Sequence, residues 1–231
     1  MLDPATRFAV LAVGGLGALA LLVNGVFAGW SVVALCGAAV VQAAGSGLAW
    51  RALRRGYPHP ALGWCNVVTL LRMVLASALL VPLAAPTQVG WSVFAIASVA
   101  LALDGVDGWL ARRGRLVSAF GARFDMEVDA GLALVLALNG AVHGGAGWMV
   151  VMLGLPRYVF WAAGFVLPWL GGDLPERFSR KAVCVIQIGV LIAVQAPIVP
   201  APLAHLLVSL AAGGLAWSFG RDILWLWQRR A

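Results

Sequence analysis

The sequence predicts an all-α protein that crosses a membrane repeatedly, and three observations lead there. Hydrophobic residues make up 62% of the chain and charged residues only 11%, against about 25% charged in a soluble domain. The apolar residues fall in runs of about 20, the length a helix needs to cross the hydrocarbon core. Most Arg and Lys gather in every second connection between those runs, the asymmetry that orients membrane helices.

Eight spans are expected, at 8–28, 30–50, 66–84, 88–108, 117–141, 146–170, 182–199 and 202–220. The first run lacks the strongly basic start of a signal peptide, and a second run follows at once, so it is expected to persist as a membrane helix. Residues 1–50 thus form two additional N-terminal transmembrane helices. The segment 51–65, RALRRGYPHPALGWC, is expected to be an interfacial juxtamembrane stretch with a short helix. Its Arg side chains would sit among headgroups, with Tyr57 and Trp64 at the boundary. Residues 66–220 hold the remaining six spans and 221–231 a cytoplasmic basic tail. Abundant Gly and Ala suit close helix packing in lipid.

Basic residues cluster at Arg51, Arg54 and Arg55; at Arg112, Arg113 and Arg115; at Arg177, Arg180 and Lys181; and at Arg221, Arg229 and Arg230. The connections 85–87, 142–145 and 200–201 carry none. This pattern predicts an integral, multi-pass inner (cytoplasmic) membrane protein with both termini and every basic connection in the cytoplasm. The net charge of +7 is then mainly a topology signal, and it would also attract anionic headgroups or nucleotides. Nucleic acid is not an expected partner, because no soluble domain exists to carry it. The eleven Trp residues read as interfacial belts.

Carboxylates are concentrated where composition would least favour them. Five of the nine acidic residues, Asp104, Asp107, Asp125, Glu127 and Asp129, lie in one short window. An unpaired Asp at mid-membrane depth costs ~2.5–3.5 kcal/mol on insertion scales, so such a cluster is expected to bind something positive. Asp104 and Asp107, at i and i+3, share a helix face near the end of the fourth span. Asp125 and Asp129, at i and i+4, share a face at the start of the fifth. Two antiparallel helices on a short loop would bring the pairs together. Gly108, Ala111 and Gly121 on the same faces leave room for a ligand against the backbone. Four hard oxygen donors suit Mg²⁺ or Mn²⁺, and two ions would balance four carboxylates. No His cluster or CxxC pair suggests zinc. A different use of the same cluster is the ion site of a cation transporter. Transporters, however, often carry internal repeats with sites near the midplane, and no second cluster is present.

The pattern Asp104-x2-Asp107-Gly108-x2-Ala111-Arg112-x8-Gly121-x3-Asp125-x3-Asp129 resembles the signature of the CDP-alcohol phosphotransferase (CDP-alcohol phosphatidyltransferase) family at every fixed position. Asn66-x2-Thr69-x2-Arg72 resembles the polar face of that family's first core helix, and Lys181 with Gln187 resembles its fifth. The likeness covers roughly residues 55–220. It implies a six-helix catalytic core to which the first two spans are additional. It also implies transfer of a phosphatidyl group from a CDP-linked lipid, typically CDP-diacylglycerol, to an alcohol acceptor, with release of CMP, in phospholipid biosynthesis. By this resemblance Asp104, Asp107, Asp125 and Asp129 are the metal residues and Asp129 is the general base. Gly108, Ala111 and Gly121 would line the cytidine pocket, and Arg112, Asn66 and Thr69 would contact the nucleotide or its phosphates. Membrane lipids would be partners, and a homodimer is left open. Arg157, after Pro156 inside the sixth span, is either a functional residue, as an Arg at that depth is by default, or a helix-to-helix tie to a carbonyl or Glu127. The acceptor alcohol is not legible: Ala130 follows the last Asp where glycerol-phosphate enzymes often carry Lys, and the two extra spans resemble bacterial phosphatidylcholine synthases, which diverge where Gly121 stands here.

Overall fold

In the computed structural model residues 3–27, 29–84, 89–172, 174–175 and 178–229 are described, without the side chains of Phe178 and Lys181. Arg177, Arg230 and the connection 85–87 therefore lie outside the described residues. Among the described residues all regular secondary structure is helical, and the chain divides into two compact units, Met1–Val135 and Leu136–Ala231. Among the described residues six helices are long and apolar enough to cross a membrane, or seven if one bent pair is a single span. The protein is an all-α polytopic membrane protein.

The first unit contains α1 (Pro4–Val26), α2 (Val32–Gly56), α3 (Trp64–Ala78), α4 (Gly90–Arg113) and the first part of α5 (Ala119–His143). Each N-terminal helix starts on a side-chain cap that satisfies otherwise orphaned amides. Asp3 accepts from the Ala5 and Thr6 amides ahead of Pro4, and Ser31 accepts from Ala34. A 3₁₀ turn, Val81–Ala84, extends α3 into an apolar stretch of 21 residues.

α2 does not stop at residue 50. It continues to Gly56 and carries Arg51, Arg54 and Arg55 on its last turns, where cations oppose the helix dipole favourably. The short interfacial helix expected within 51–65 is absent as a separate element. Pro58 and Pro60 hold residues 57–63 out of helix, since each lacks an amide and disfavours α backbone before it.

Polar and aromatic contacts fasten the N-terminal pair to the unit. Gln42 is wholly buried on α2, and its Oε1 accepts from Ser77 Oγ of α3 at 2.9 Å. The Trp50 indole N–H donates to the Ala5 carbonyl of α1 at 3.2 Å. Phe8 of α1, with no exposed surface, packs edge-on against Phe120 and Phe124 of α5, with ring centroids at 6.3 and 5.8 Å. Lipid tails are as apolar as these side chains, so shape fit and hydrogen bonds hold the helices together rather than exclusion of water.

The second unit comprises the end of α5, α6 (Val151–Gly154) with its preceding 3₁₀ turn Gly147–Val150, α7 (Pro156–Val166), α8 (Phe178–Ala193) and α9 (Ala201–Gln228). The continuous sixth span expected at 146–170 is broken: Gly147–Gly154 and Pro156–Val166 meet at 55°. Pro156 removes one amide and its ring collides with a carbonyl one turn back. The seventh expected span is also shorter, a 16-residue helix ending at Ala193 ahead of turns containing Pro197 and Pro200. Sixteen residues rise only about 24 Å. α9, by contrast, runs past 220 through Gln228, so Arg221 is helical rather than part of a loose tail. Its guanidinium lies 4.5 Å from the Trp217 ring, and Arg229 lies 3.6 Å from Trp225. With Arg54 over Trp50 and Arg113 over Trp109, these pairs stand at the basic helix ends, as amphipathic residues at a headgroup boundary do.

Buried and half-buried polar side chains tie the helices of this unit. The Gln195 amide donates to the carbonyls of Leu136 and Leu191 at 2.8 and 2.9 Å. Arg180 forks onto both carboxylate oxygens of buried Asp222 at 2.9 and 3.2 Å, and Gln187 donates to the Leu153 carbonyl.

The Gln42–Ser77 bond defines one quantitative test. Gln42→Leu and Ser77→Ala, singly and together, should give a coupling energy of about 0.5–1.5 kcal/mol in detergent unfolding, the range of interhelical membrane hydrogen bonds. A coupling near zero would show that this bond does not hold α2 to α3.

Candidate active site

The centre of the site is Arg72, 1% exposed, on the inner face of α3. A guanidinium has five N–H donors in a rigid fork, and five acceptors surround this one. Nε donates to the Ala100 carbonyl at 3.2 Å and Nη1 to Asp107 Oδ2 at 2.9 Å. Nη1 also meets Asp125 Oδ1, and Nη2 meets Asp129 Oδ1 in a close contact. Nη2 lies 3.1 Å from Asp104 Oδ1. All four Asp of the signature therefore converge on one cation.

The local sequence explains the convergence. Asp104 and Asp107 are on the last turns of α4, and Asp125 and Asp129 are in the first turns of α5. The α4–α5 connection is only residues 114–118. It reverses through Arg115 in the left-handed region at φ 53°, with the Leu116 amide returning to the Ala111 carbonyl at 3.0 Å, a Schellman-type closure. Ser118 then starts α5, its Oγ accepting from the Gly121 amide at 3.0 Å.

Asp107 is the innermost carboxylate, with its side chain 5% exposed, while Asp104, Asp125 and Asp129 are 28, 38 and 33% exposed. One oxygen each from Asp104, Asp107 and Asp125 lies within 4.8 Å of the others, close enough for these three to share a metal ion. Asp129, the fourth expected ligand, is outside that group of three and joins it through Arg72. Four carboxylates against one guanidinium leave three formal negative charges uncompensated. Hard oxygens, close spacing and surplus negative charge together fit a divalent cation of the Mg²⁺ or Mn²⁺ kind.

The residues expected to contact the nucleotide lie on the same three helices, α3, α4 and α5. Thr69 Oγ1 lies 3.0 Å from Asp107 Oδ2 and 3.0 Å from the Cys65 carbonyl, so its hydroxyl is turned to the carboxylate rather than left open. Asn66 Nδ2 donates to the Tyr57 hydroxyl at 3.1 Å. Tyr57 also accepts from the Gly63 amide and donates to the Ala61 carbonyl, each at 3.2 Å. Burial pushes the Tyr57 phenol above its ordinary range, so it stays a donor. A Cβ on Gly121 would lie 3.4 Å from Asn66 Oδ1 and 3.2 Å from Ser118 Oγ. Glycine there leaves space beside Asn66. A Cβ on Gly108 would lie 3.2 Å from Arg112 Nη1, so the exposed guanidinium of Arg112 folds back over a strip that Gly108 leaves bare. Ala111, half-buried one turn before Arg115, has its carbonyl engaged by Leu116.

Arg72 and Tyr57 are the residues for which sequence reasoning assigned no site role. The signal for Arg72 was present: an Arg eight residues into an apolar helix must have anionic company. Arg157, singled out on that ground, is half-buried as the second residue of α7, and Lys181 lies outside the described side chains.

With the geometry in place, comparison with known families is decisive on class. The sequence model of the CDP-alcohol phosphatidyltransferase family matches residues 62–219, and the chain belongs to that family. Its general activity is transfer of a phosphatidyl group from a CDP-alcohol. α1 and α2 lie outside the match. No characterised protein and no solved structure gave a significant match.

Arg72→Gln should be severe. Removing one member of a buried ionic cluster typically costs 3–5 kcal/mol because the remaining charges lose their partner. The thermal midpoint of the purified protein should fall clearly, and Arg72→Lys, which keeps charge but not the fork, should recover only part of it. Wild-type stability in Arg72→Gln would contradict the central role of this side chain.

Proposed function

We propose that the protein is a metal-dependent CDP-alcohol phosphatidyltransferase that moves a phosphatidyl group from CDP-diacylglycerol to an alcohol and releases CMP at the cytoplasmic face of the inner membrane. The observation that carries this reading is the convergence of the four signature carboxylates on Arg72 with negative charge in excess. The family match over most of the chain supports the enzyme over an ion-transport use of the cluster.

Asp104, Asp107 and Asp125 would hold the metal, with Asp129 joined to them through Arg72. A bound divalent ion would supply charge neutralisation for the pyrophosphate as the bond to CMP breaks. Arg72 orients all four carboxylates, and Thr69 acts on Asp107 through its hydroxyl. Asn66, steadied by Tyr57, and Arg112 face the nucleotide, whose cytidine lies along Gly108, Ala111 and Gly121. Asp129 takes the proton of the acceptor hydroxyl as its oxygen attacks phosphorus. The basic ends of α2, α4 and α9 support a cytoplasmic site.

Chelation with EDTA should abolish CMP release from CDP-diacylglycerol, and Mg²⁺ or Mn²⁺ should restore it. Full turnover after bound metal has been stripped would remove the basis of this mechanism.

Asp129→Asn keeps the shape of the side chain but cannot accept a proton. Single-turnover rates should fall by ~10²–10⁴-fold, the usual contribution of a general base, with nucleotide affinity largely kept. Asp107→Asn should weaken metal and nucleotide binding together. If Asp129→Asn turns over near the wild-type rate, Asp129 is not the base.

A further inference from the structure

A cavity of about 760 Å³ lies among α2, α3 and α5 of the first unit, inside the range of pockets that enclose drug-sized ligands, roughly 300–1,000 Å³. Its wall along α5 runs from Ala119 to Val135, a rise of about 24 Å. That exceeds one leaflet of the hydrocarbon core, about 15 Å when the core is ~30 Å thick. Deep in the groove the lining is apolar, from Val41 and Leu48 to Leu80 and Val135. At the end where α2 finishes and α5 begins, the lining changes to Arg55 and Arg123, with Glu127 one turn further in.

Both Arg side chains are exposed, and among the described residues neither forms an ion pair within 4.0 Å. Arg51 and Arg54 stand on the same last turns of α2, so the mouth of the groove carries net positive charge. An apolar slot with a cationic mouth complements one molecule type in a bilayer, a lipid with an acidic headgroup. A slot left empty would forfeit the dispersion contacts of its lining.

This groove is separate from the carboxylate site. At 100° per residue, Glu127 points about 180° away from the midpoint of Asp125 and Asp129, and Phe124 and Gly131 share its side of α5. One wall is α2, which lies outside the family match.

We propose that the N-terminal helix α2 completes a second lipid site, which holds one anionic glycerophospholipid with its phosphate on Arg55 and Arg123 and an acyl chain along α5. This does not rest on the transfer reaction, because it uses none of the four Asp. The test is native mass spectrometry of the full chain in detergent, titrated with phosphatidylglycerol or phosphatidylcholine of the same acyl composition. Wild type should retain phosphatidylglycerol by roughly tenfold or more over phosphatidylcholine, the scale of two basic side chains at a headgroup. Arg55→Ala/Arg123→Ala should erase that preference. Ala52→Phe, at an exposed position lining the groove, should reduce retention of both lipids, and a modest excess of CDP-diacylglycerol should leave phosphatidylglycerol bound.

Equal retention of the two lipids by wild type, or unaltered retention in Ala52→Phe, would overturn the proposal. One-for-one displacement by CDP-diacylglycerol would make the groove the donor's own chain site and would also overturn it. So would a lipid-free dimer that Ala52→Phe dissociates, because the occupant would then be a second copy of the chain.

Discussion

Everything at the carboxylate cluster depends on how one guanidinium is held inside an apolar helix. Arg72 is nearly without solvent, and its five donors are matched by four carboxylates and a carbonyl. Burying either sign alone would cost several kcal/mol per ion. Burying both together, in a geometry the fork can satisfy, makes the site tolerable and sets the directions of the carboxylates. The cluster is not neutral, however. The surplus negative charge makes the same arrangement a source of instability, and it fits the charge of a divalent cation.

That arrangement also couples helices that would otherwise have little reason to hold a fixed register. α4 delivers Asp104 and Asp107, α5 delivers Asp125 and Asp129, and α3 delivers the cation between them. The loop of residues 114–118 is short enough to keep the pairs close, and its left-handed Arg115 reverses the chain without a glycine at that position. Around this frame, Thr69 steadies Asp107 while Tyr57 steadies Asn66. Tyr57 comes from the proline-bearing connection before α3, ahead of the residues that match the family. Phe8 and the Phe120–Phe124 stack bring α1 to the same neighbourhood. The additional helices are thus packed against elements of the core rather than tethered loosely to it.

The departures from a simple reading of the apolar runs have local causes. Hydropathy registers a run of side chains but not backbone continuity. It therefore joins Gly147–Gly154 to Pro156–Val166, although Pro156 bends the chain by 55°. It ends α2 at its first Arg, although Arg is a good helix former whose stem can lie along apolar surface. The helix stops instead at Gly56 and Tyr57, before the prolines.

What the sequence determined by itself was the chemistry and its spacing. The four Asp at i, i+3 and i, i+4 with glycines between them predict one carboxylate cluster across a helix pair, because helical periodicity makes residues three and four apart neighbours. The family, the all-helical membrane fold and the carboxylate cluster were legible from that. Only the tertiary structure decided that Arg72 is the hub, that Thr69 turns to Asp107, that Tyr57 holds Asn66, and that a groove forms against α2. These are contacts between residues 9 to 57 positions apart. Periodicity reports which face of a helix a residue occupies, but not which helix that face will meet.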